Sequence, residues 1–530
     1  MATDLRLIGP TAVDDYAEVS SLVPWARAMC FLSGTPQIRR PGPTRRDLLR
    51  LGALGPWGLL ANPWANPVAH PQSAHASSGD LPNFGRAKSC LLIYKYGAPP
   101  QHETFDPKPD APVEIQGELK AIPTALPGVA IGERLPRIAR IMDRLTVVRS
   151  LTHPYPLHGT VYATTGIPDV DTKIEAMPRH KRQWPFLGSI VDYLDEQRAL
   201  RAGQTGLPAL PRNIALPFVM GSKNEYPPLA GPYGAMLGQK YDPVFTDFRP
   251  EGTRLAPEIN PGKAFRDPLL GIRPTDRLEL AGTSATGFDP GRLGLRRGLL
   301  EQLSQGRIDL EGHERGAAFS LQQQQAFGLL ATGRLQEALD YTAEPPAMRE
   351  AYGMTLFGQS CLAARRLIEA GGRFVTVFWD AYGLNAGSWD THHNHYGRLK
   401  EFLLPVFDQT FSTLILDLEQ RGLLAETLVL VLSEHGRTPQ IDPKPAGAGR
   451  HHWSRAYSQV YAGGGLAPGT VIGRTDRHAG DVEATPISPK DILATAFHLL
   501  GFDPDTTVPD PEGRPLPLTG TGRVRPELLG

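Results

Sequence analysis

The 530-residue chain is poor in the features that would declare its function at once. It has three cysteines, Cys30, Cys90 and Cys361, and no Cys-x-x-Cys spacing, which excludes a thiolate zinc site of the usual kind. It has no excess charge: 55 basic residues balance 55 acidic ones, so neither nucleic acid nor an anionic membrane is favoured as a partner. The glycine triplet Gly463–Gly465 has no Lys-Ser/Thr after it and reads as a backbone turn, not a phosphate loop. Cys90 and Cys361 both sit in apolar segments, which reads as two buried free thiols more readily than as a disulfide.

The one long stretch without charge is near the amino terminus. In PTRRDLLRLGALGPWGLLANPWA, Arg45–Arg46 precede a run uncharged from Leu51 to Ala69. Pro56 and the glycines make it a poor membrane span. The pattern is that of a twin-arginine export signal over residues 41–76, with a small-residue cleavage site at Ala74–Ala76. Residues 1–40 are then a flexible extension, and the mature protein, 77–530, works in the periplasm or at the cell surface without a stable membrane span.

Glycine (56) and proline (51) are abundant instead, a fifth of the chain, so much of it is turn and loop. Between the loops stand continuous apolar runs, CLLIYK from Cys90, TVVRSL from Thr146, RFVTVFW from Arg373 and TLVLVL from Thr427. Helical patterns alternate with them: ERLPRIARIMDRL, LAARRLIEAGG, LKEFLLPVFDQTFSTLILDLEQRG, and SPKDILATAFHLLG with Ser488 as N-cap. Strands apolar throughout, alternating with helices, predict an α/β fold with a mostly parallel sheet sandwiched between helices. Residues 198–350 read as an irregular insertion, Pro/Gly-rich to Ala281 and with two helices between Arg292 and Leu339.

In such sheets the site lies beyond the carboxyl ends of the strands. Six of the 15 histidines fall between His392 and His452. Asp390 and His392 come after the strand RFVTVFW, Glu434 and His435 after TLVLVL, and His451–His452 lie in GRHHW. Imidazole with carboxylate suits zinc, manganese or iron, and a carboxylate-rich half suits magnesium or calcium. The bland alternative is a set of polar loop residues bonded to backbone.

Several long segments resemble the bacterial family catalogued as domain of unknown function 1501, within the alkaline phosphatase/sulfatase-like superfamily. They include YGAPPQHETFDPKPDAP, PRNIALP, GPYGAMLGQKYDPV, WDTHHNHYG, SEHGRTP, GRHHW and AGGGLAPGTVIGRTD, and run in family order from Ser89 to Asp505. The resemblance implies an alkaline phosphatase-like core and one or two divalent ions, zinc or manganese before calcium or magnesium. It implies Glu103, Asp390, His392, Glu434, His435 and His452 as ligands. Two positions depart from the family pattern: Glu103 replaces an aspartate, and His435 replaces a phenylalanine. No Cys-x-Pro-x-Arg occurs, so a formylglycine nucleophile is absent. The loop SLTHPYPLHGT offers Ser150, Thr152 and Thr160 as hydroxyl nucleophiles, Thr152 foremost, with His158 as a further ligand or oxyanion partner. Arg437 and Arg450 suit a bidentate clamp on an anionic ester, or internal pairing with an acidic side chain. Within the two histidine clusters, His393, His395 and His451 read as outlying or surface residues. The implied activity is metal-dependent hydrolysis of a sulfate or phosphate ester, small molecule or glycan. Phosphomutase-like transfer and a non-catalytic cell-surface binding protein are the alternatives.

Overall fold

The structure, a computed structural model, describes residues 81–156, 159–166, 177–204, 208–223, 230–256, 265–281, 333–383, 388–443, 447–510 and 512–530. The export segment, His158 and residues 292–332 of the helical stretch lie outside the described residues; the remainder of that stretch forms a helix, Arg334–Leu339.

Among the described residues nine strands form one sheet: β1 Ser89–Lys95, β2 Leu145–Leu151, β3 Asn213–Leu216, β4 Val244–Asp247, β5 Glu279–Leu280, β6 Phe374–Trp379, β7 Thr427–Leu432, β8 Tyr457–Ala462 and β9 Thr470–Ile472. Their spatial order is β9-β2-β8-β7-β1-β6-β3-β4-β5. The β7-β1-β6-β3-β4 stretch is parallel, as is β9 with β2; β8 runs antiparallel between β2 and β7, and β5 is antiparallel at the edge. The region expected to be an insertion therefore supplies β3, β4 and β5. Strands of two to four residues are too short to show a period in the sequence.

The central strands are buried on both faces, which is why they read as unbroken apolar runs. Leu91, Ile93, Val375, Val377, Val429 and Val431 face one core, filled from the helices α2 Leu356–Glu369 and α3 Leu404–Gln420. Cys90, Leu92, Tyr94, Phe374, Phe378 and Leu430 face the other, under α1 Leu187–Arg201 and α4 Pro489–Leu499. The architecture is thus three-layered, with each buried leucine or phenylalanine contributing about 1.5–3 kcal/mol of transfer free energy. Cys90 and Cys361 are free thiols in opposite cores, and burial pushes both pKa values up. Helix α4 begins with a capping box: Asp491 N–H donates to the Ser488 hydroxyl at 3.3 Å, and Ser488 N–H donates to the Asp491 carboxylate at 3.0 Å.

Register aligns the strand ends. Lys95 pairs with Trp379, and Tyr94 with Leu432, so β1, β6 and β7 stop at one level. Gly97, Asp380 and Glu434, each just past the end of one of these strands, emerge at the same edge of the sheet.

Candidate metal centre

The loop after β6 is built to hold one conformation. Trp389 is fully buried, its ring edge-on to Trp379 at 5.1 Å and to Phe407 at 6.0 Å, and its backbone N–H donates to the Tyr96 carbonyl at 3.0 Å. Asn394, at φ +47°, opens a helical run that starts at His395–Arg398, widens to a π turn over Leu399–Leu403 and continues as α3. Pro405, which has no N–H to give the carbonyl one turn back, comes just after that widened turn. From this run the buried Arg398 reaches back, donating to the Asp390 carbonyl at 2.9 Å and to the Ser388 carbonyl. Gly97 presses on the same loop: a Cβ there would stand 2.2 Å from Asp390 N, and its φ of +99° is one only glycine adopts freely.

A second element meets the loop from above. The two-residue ribbon Gly436–Arg437 pairs antiparallel with His452–Trp453. The strand leading into it lies against the loop, with Arg450 N–H on the Thr391 carbonyl at 3.3 Å. Gly449 makes this approach possible, since a Cβ would fall 2.0 Å from the His392 carbonyl oxygen.

The result is a triangle of ligand-type atoms. His392 Nε2 lies 2.9 Å from His452 Nε2 and 3.0 Å from Asp390 Oδ1, and His452 Nε2 lies 3.4 Å from the same oxygen. All three side chains are half-buried. Ligand atoms held about 2.0–2.2 Å from a tetrahedral zinc stand about 3.3–3.6 Å apart, so the triangle has nearly the size of one face of a coordination shell. Two imidazole nitrogens and a carboxylate oxygen at this spacing need cations or protons between them, and the donor set fits a divalent ion.

His435 is fully buried beside the triangle, its ring centroid 4.6 Å from that of His452. Its Nδ1 donates to the Gly436 carbonyl at 2.8 Å, which leaves Nε2 as the lone-pair nitrogen, the tautomer a ligand requires. The Glu434 carboxylate accepts from Gly97 N–H at 2.7 Å and from the Tyr94 hydroxyl at 3.2 Å, tying the end of β7 to the end of β1.

Glu103 also stands apart from the triangle. One oxygen accepts from Arg450 Nε at 3.0 Å and Nη2 at 2.7 Å; the other lies 3.5 Å from Nε2 of His395, whose Nδ1 is bonded to the Thr391 hydroxyl at 2.8 Å. Burial alone would raise the Glu103 pKa, but the Arg450 guanidinium and His395 hold it well below the usual carboxylate range. Arg437 is fully buried too, donating to the carbonyls of Gly97, Ala98 (3.0 Å) and Arg450 (3.2 Å) and to Asp390 Oδ1 at 2.6 Å. Both arginines are thus engaged inside the protein rather than turned toward an open pocket.

Among the candidate hydroxyls, Ser150 donates to the Thr485 carbonyl at 2.5 Å and Thr160 to the Ala230 carbonyl. Thr152 is half-buried, and its N–H donates to the Ile487 carbonyl at 3.0 Å. Among the described residues of this loop His153 reaches the site, with Nε2 2.8 Å from the Glu434 carbonyl and its pKa pushed down to about 4 by burial. Its only mark in the sequence is to be a histidine just past a strand. Asp380 is equally inconspicuous there. It accepts from Gly221 N–H at 2.6 Å and Ala381 N–H at 2.7 Å, and burial, with the nearby charge of Glu434, raises its pKa to about 6.

A three-layer α/β protein with an Asp-His-His triangle at the carboxyl edge of its sheet is the class these observations define. The chain belongs to the family described as "Protein of unknown function (DUF1501)", which it matches over residues 87–529. No curated protein matches it. Among solved structures, similar chains include the PsFucS1 sulfatase from Pseudoalteromonas sp., at 11% identity and TM-score 0.33, covering 79% of this chain and 68% of that one. Another is the phosphonate monoester hydrolase SpPMH from Silicibacter pomeroyi, at 10% identity and TM-score 0.31, covering 83% and 75%. The lipoteichoic acid synthase LtaP from Listeria monocytogenes is a third, at 9% identity and TM-score 0.31, covering 81% and 76%. Agreement this slight says nothing of chemistry, which rests on the side chains themselves.

Proposed function

We propose that the protein is an exported metal-dependent hydrolase of sulfate or phosphate esters. The observation that carries the reading is the triangle of Asp390 Oδ1, His392 Nε2 and His452 Nε2 with edges of 2.9–3.4 Å. His435, whose ring centroid stands 4.6 Å from that of His452 and whose Nδ1 is held by the Gly436 carbonyl, is the next candidate ligand. Two imidazoles with one carboxylate favour zinc or manganese over calcium or magnesium, which prefer oxygen. A bound ion of this kind would lower the pKa of a water and neutralise charge on a phosphoryl or sulfuryl oxygen.

The chain's own residues set the geometry. Arg437 fixes the Asp390 carboxylate, the Gly436 carbonyl fixes the His435 tautomer, and Glu434 keeps the two strand ends together. Glu103 and Arg450 form a buried pair that ties the first loop to the segment carrying His451 and His452. We retain Thr152 as the candidate hydroxyl nucleophile; with Ser150 and Thr160 both donating to backbone carbonyls, the competing nucleophile is water. That engagement of the hydroxyls also favours a second reading, a metal-bearing binding protein without turnover. Export rests on Arg45–Arg46 and the uncharged run after them. Among the described residues no helix is long and apolar enough to cross a membrane.

A screen of phosphate mono- and diesters and sulfate esters, with zinc, manganese and calcium, tests the proposal. Turnover abolished by Asp390→Asn and by His452→Ala supports the hydrolase. Stoichiometric metal without turnover of any ester supports the binding protein. Absence of bound metal contradicts both.

A further inference from the structure

Two residues beyond the triangle continue it outward. His451 Nδ1 lies 2.9 Å from His392 Nδ1, and His451 Nε2 lies 3.0 Å from Asp442 Oδ2. His392 therefore sits between two adjacent histidines, with His451 against one ring nitrogen and His452 against the other. Both outer residues are held by backbone: Thr438 bonds His451 N–H through its hydroxyl at 3.0 Å and His451 carbonyl through its own N–H at 2.8 Å. Asp442 and Gly449 exchange two backbone hydrogen bonds of 2.8 and 2.9 Å.

We infer that Asp442 and His451 form a hydrogen-bonded relay that fixes the tautomer of His392 and points its Nε2 lone pair at a divalent cation. The relay rests on the proposed metal centre. Proton accounting along the chain of side chains leads to it. An ionised carboxylate only accepts, so His451 Nε2 carries the hydrogen. In a neutral imidazole the other nitrogen is then an acceptor, so His451 Nδ1 takes its hydrogen bond from His392 Nδ1–H. That leaves His392 Nε2 with a lone pair, aimed at the corner it shares with Asp390 Oδ1 and His452 Nε2. The carboxylate at the far end also strengthens the donor power of the ligating ring, the usual effect of a carboxylate linked to a metal-bound histidine.

The side chains of His451 and Asp442 are 46% and 37% exposed, so core packing gives neither a large part in stability. Truncating them is expected to affect the metal and not the fold. Zinc affinity is to be measured by chelator competition for the full-length wild type and for His451→Ala, His451→Asn and Asp442→Ala, beside thermal melts of the metal-free proteins. His451→Ala is expected to bind zinc about 10–100-fold more weakly with an unchanged metal-free melt. His451→Asn, whose side-chain oxygen stands near the place of Nδ1, is expected to recover most of that loss, and Asp442→Ala to show a smaller loss. In zinc-loaded, histidine-labelled protein, the ¹⁵N signals of His392 should show a protonated Nδ1 and a metal-bound Nε2. If the wild type binds zinc and His451→Ala binds it equally well, or if Asn recovers nothing, the relay is overturned while the metal centre stands. If the wild type binds no divalent metal, the metal centre itself fails and the relay with it.

Discussion

Arg437 Nη2 lies 2.6 Å from Asp390 Oδ1, the oxygen that also faces His392 and His452. The guanidinium has no exposed surface, and its other donors are spent on the backbone carbonyls of the segments that meet at the site. Replacing it with methionine leaves those carbonyls and the carboxylate without their donor. Arg437→Met is expected to lose about 3–5 kcal/mol of stability and to weaken metal binding. Arg437→Lys should recover little, because an ammonium cannot reproduce the planar fork. Urea unfolding and zinc competition check both; full recovery by lysine would mean that the planar fork is not what holds Asp390.

The Glu103–Arg450 pair is buried on both sides, with nitrogen–oxygen distances of 2.7 and 3.0 Å. Glu103→Gln leaves the Arg450 charge uncompensated and is expected to cost about 3–5 kcal/mol. The folded pKa of Glu103 is held below the ordinary 4.5, so its contribution is complete above that value and declines as pH falls toward the folded one. The difference between wild type and Glu103→Gln should therefore narrow on acidification below about pH 4.5, measured as denaturant midpoints. A difference constant with pH contradicts the assignment.

Lys95, at the end of β1, is buried with Nζ 4.0 Å from the Phe407 ring centroid and 4.8 Å from that of Trp389. Burial lowers its pKa from 10.5 to about 7. Between those values the unfolded chain holds a proton the folded chain has shed, so this residue makes stability rise with pH across that window. Below it the cost of burying the charge is felt in full. Lys95→Met is expected to raise the unfolding temperature clearly at pH 6 and little at pH 10. An equal effect at both pH values contradicts it.

Much of this arrangement is legible in the sequence, for identifiable reasons. β1, β6 and β7 are buried on both faces, so their composition declares them, and the rule placing sites beyond strand ends points to Asp390, His392, Glu434 and His435, with His452 added by the family resemblance. The partition of labour among them is not legible. Glu103 meets Arg450 across 347 residues of chain, a contact no local pattern encodes. Adjacent residues ordinarily point to different sides, and His451 is indeed partly open to solvent, yet both it and His452 touch the ring of His392, a pairing the sequence does not announce. β3 to β5 escape a sequence reading because strands so short carry no period.

Gly449 is a place where one methyl group tests the packing of loop on ribbon. An alanine Cβ would meet the His392 carbonyl oxygen at 2.0 Å, a backbone atom that cannot swing aside. Gly449→Ala is expected to cost about 1–3 kcal/mol and to displace His392 from His451 and His452, weakening zinc binding. Wild-type zinc affinity in this variant would mean that the close approach does not position His392.

On this proposal Asp390, His392 and His452 hold a divalent ion. Elemental analysis of protein purified after expression with zinc and manganese decides it, alongside Asp390→Asn, His392→Ala and His452→Ala. At least one equivalent of metal in the wild type, and less than a tenth of that in each folded variant, is the expected result. Metal-free wild type, or variants that retain the wild-type content, would contradict it.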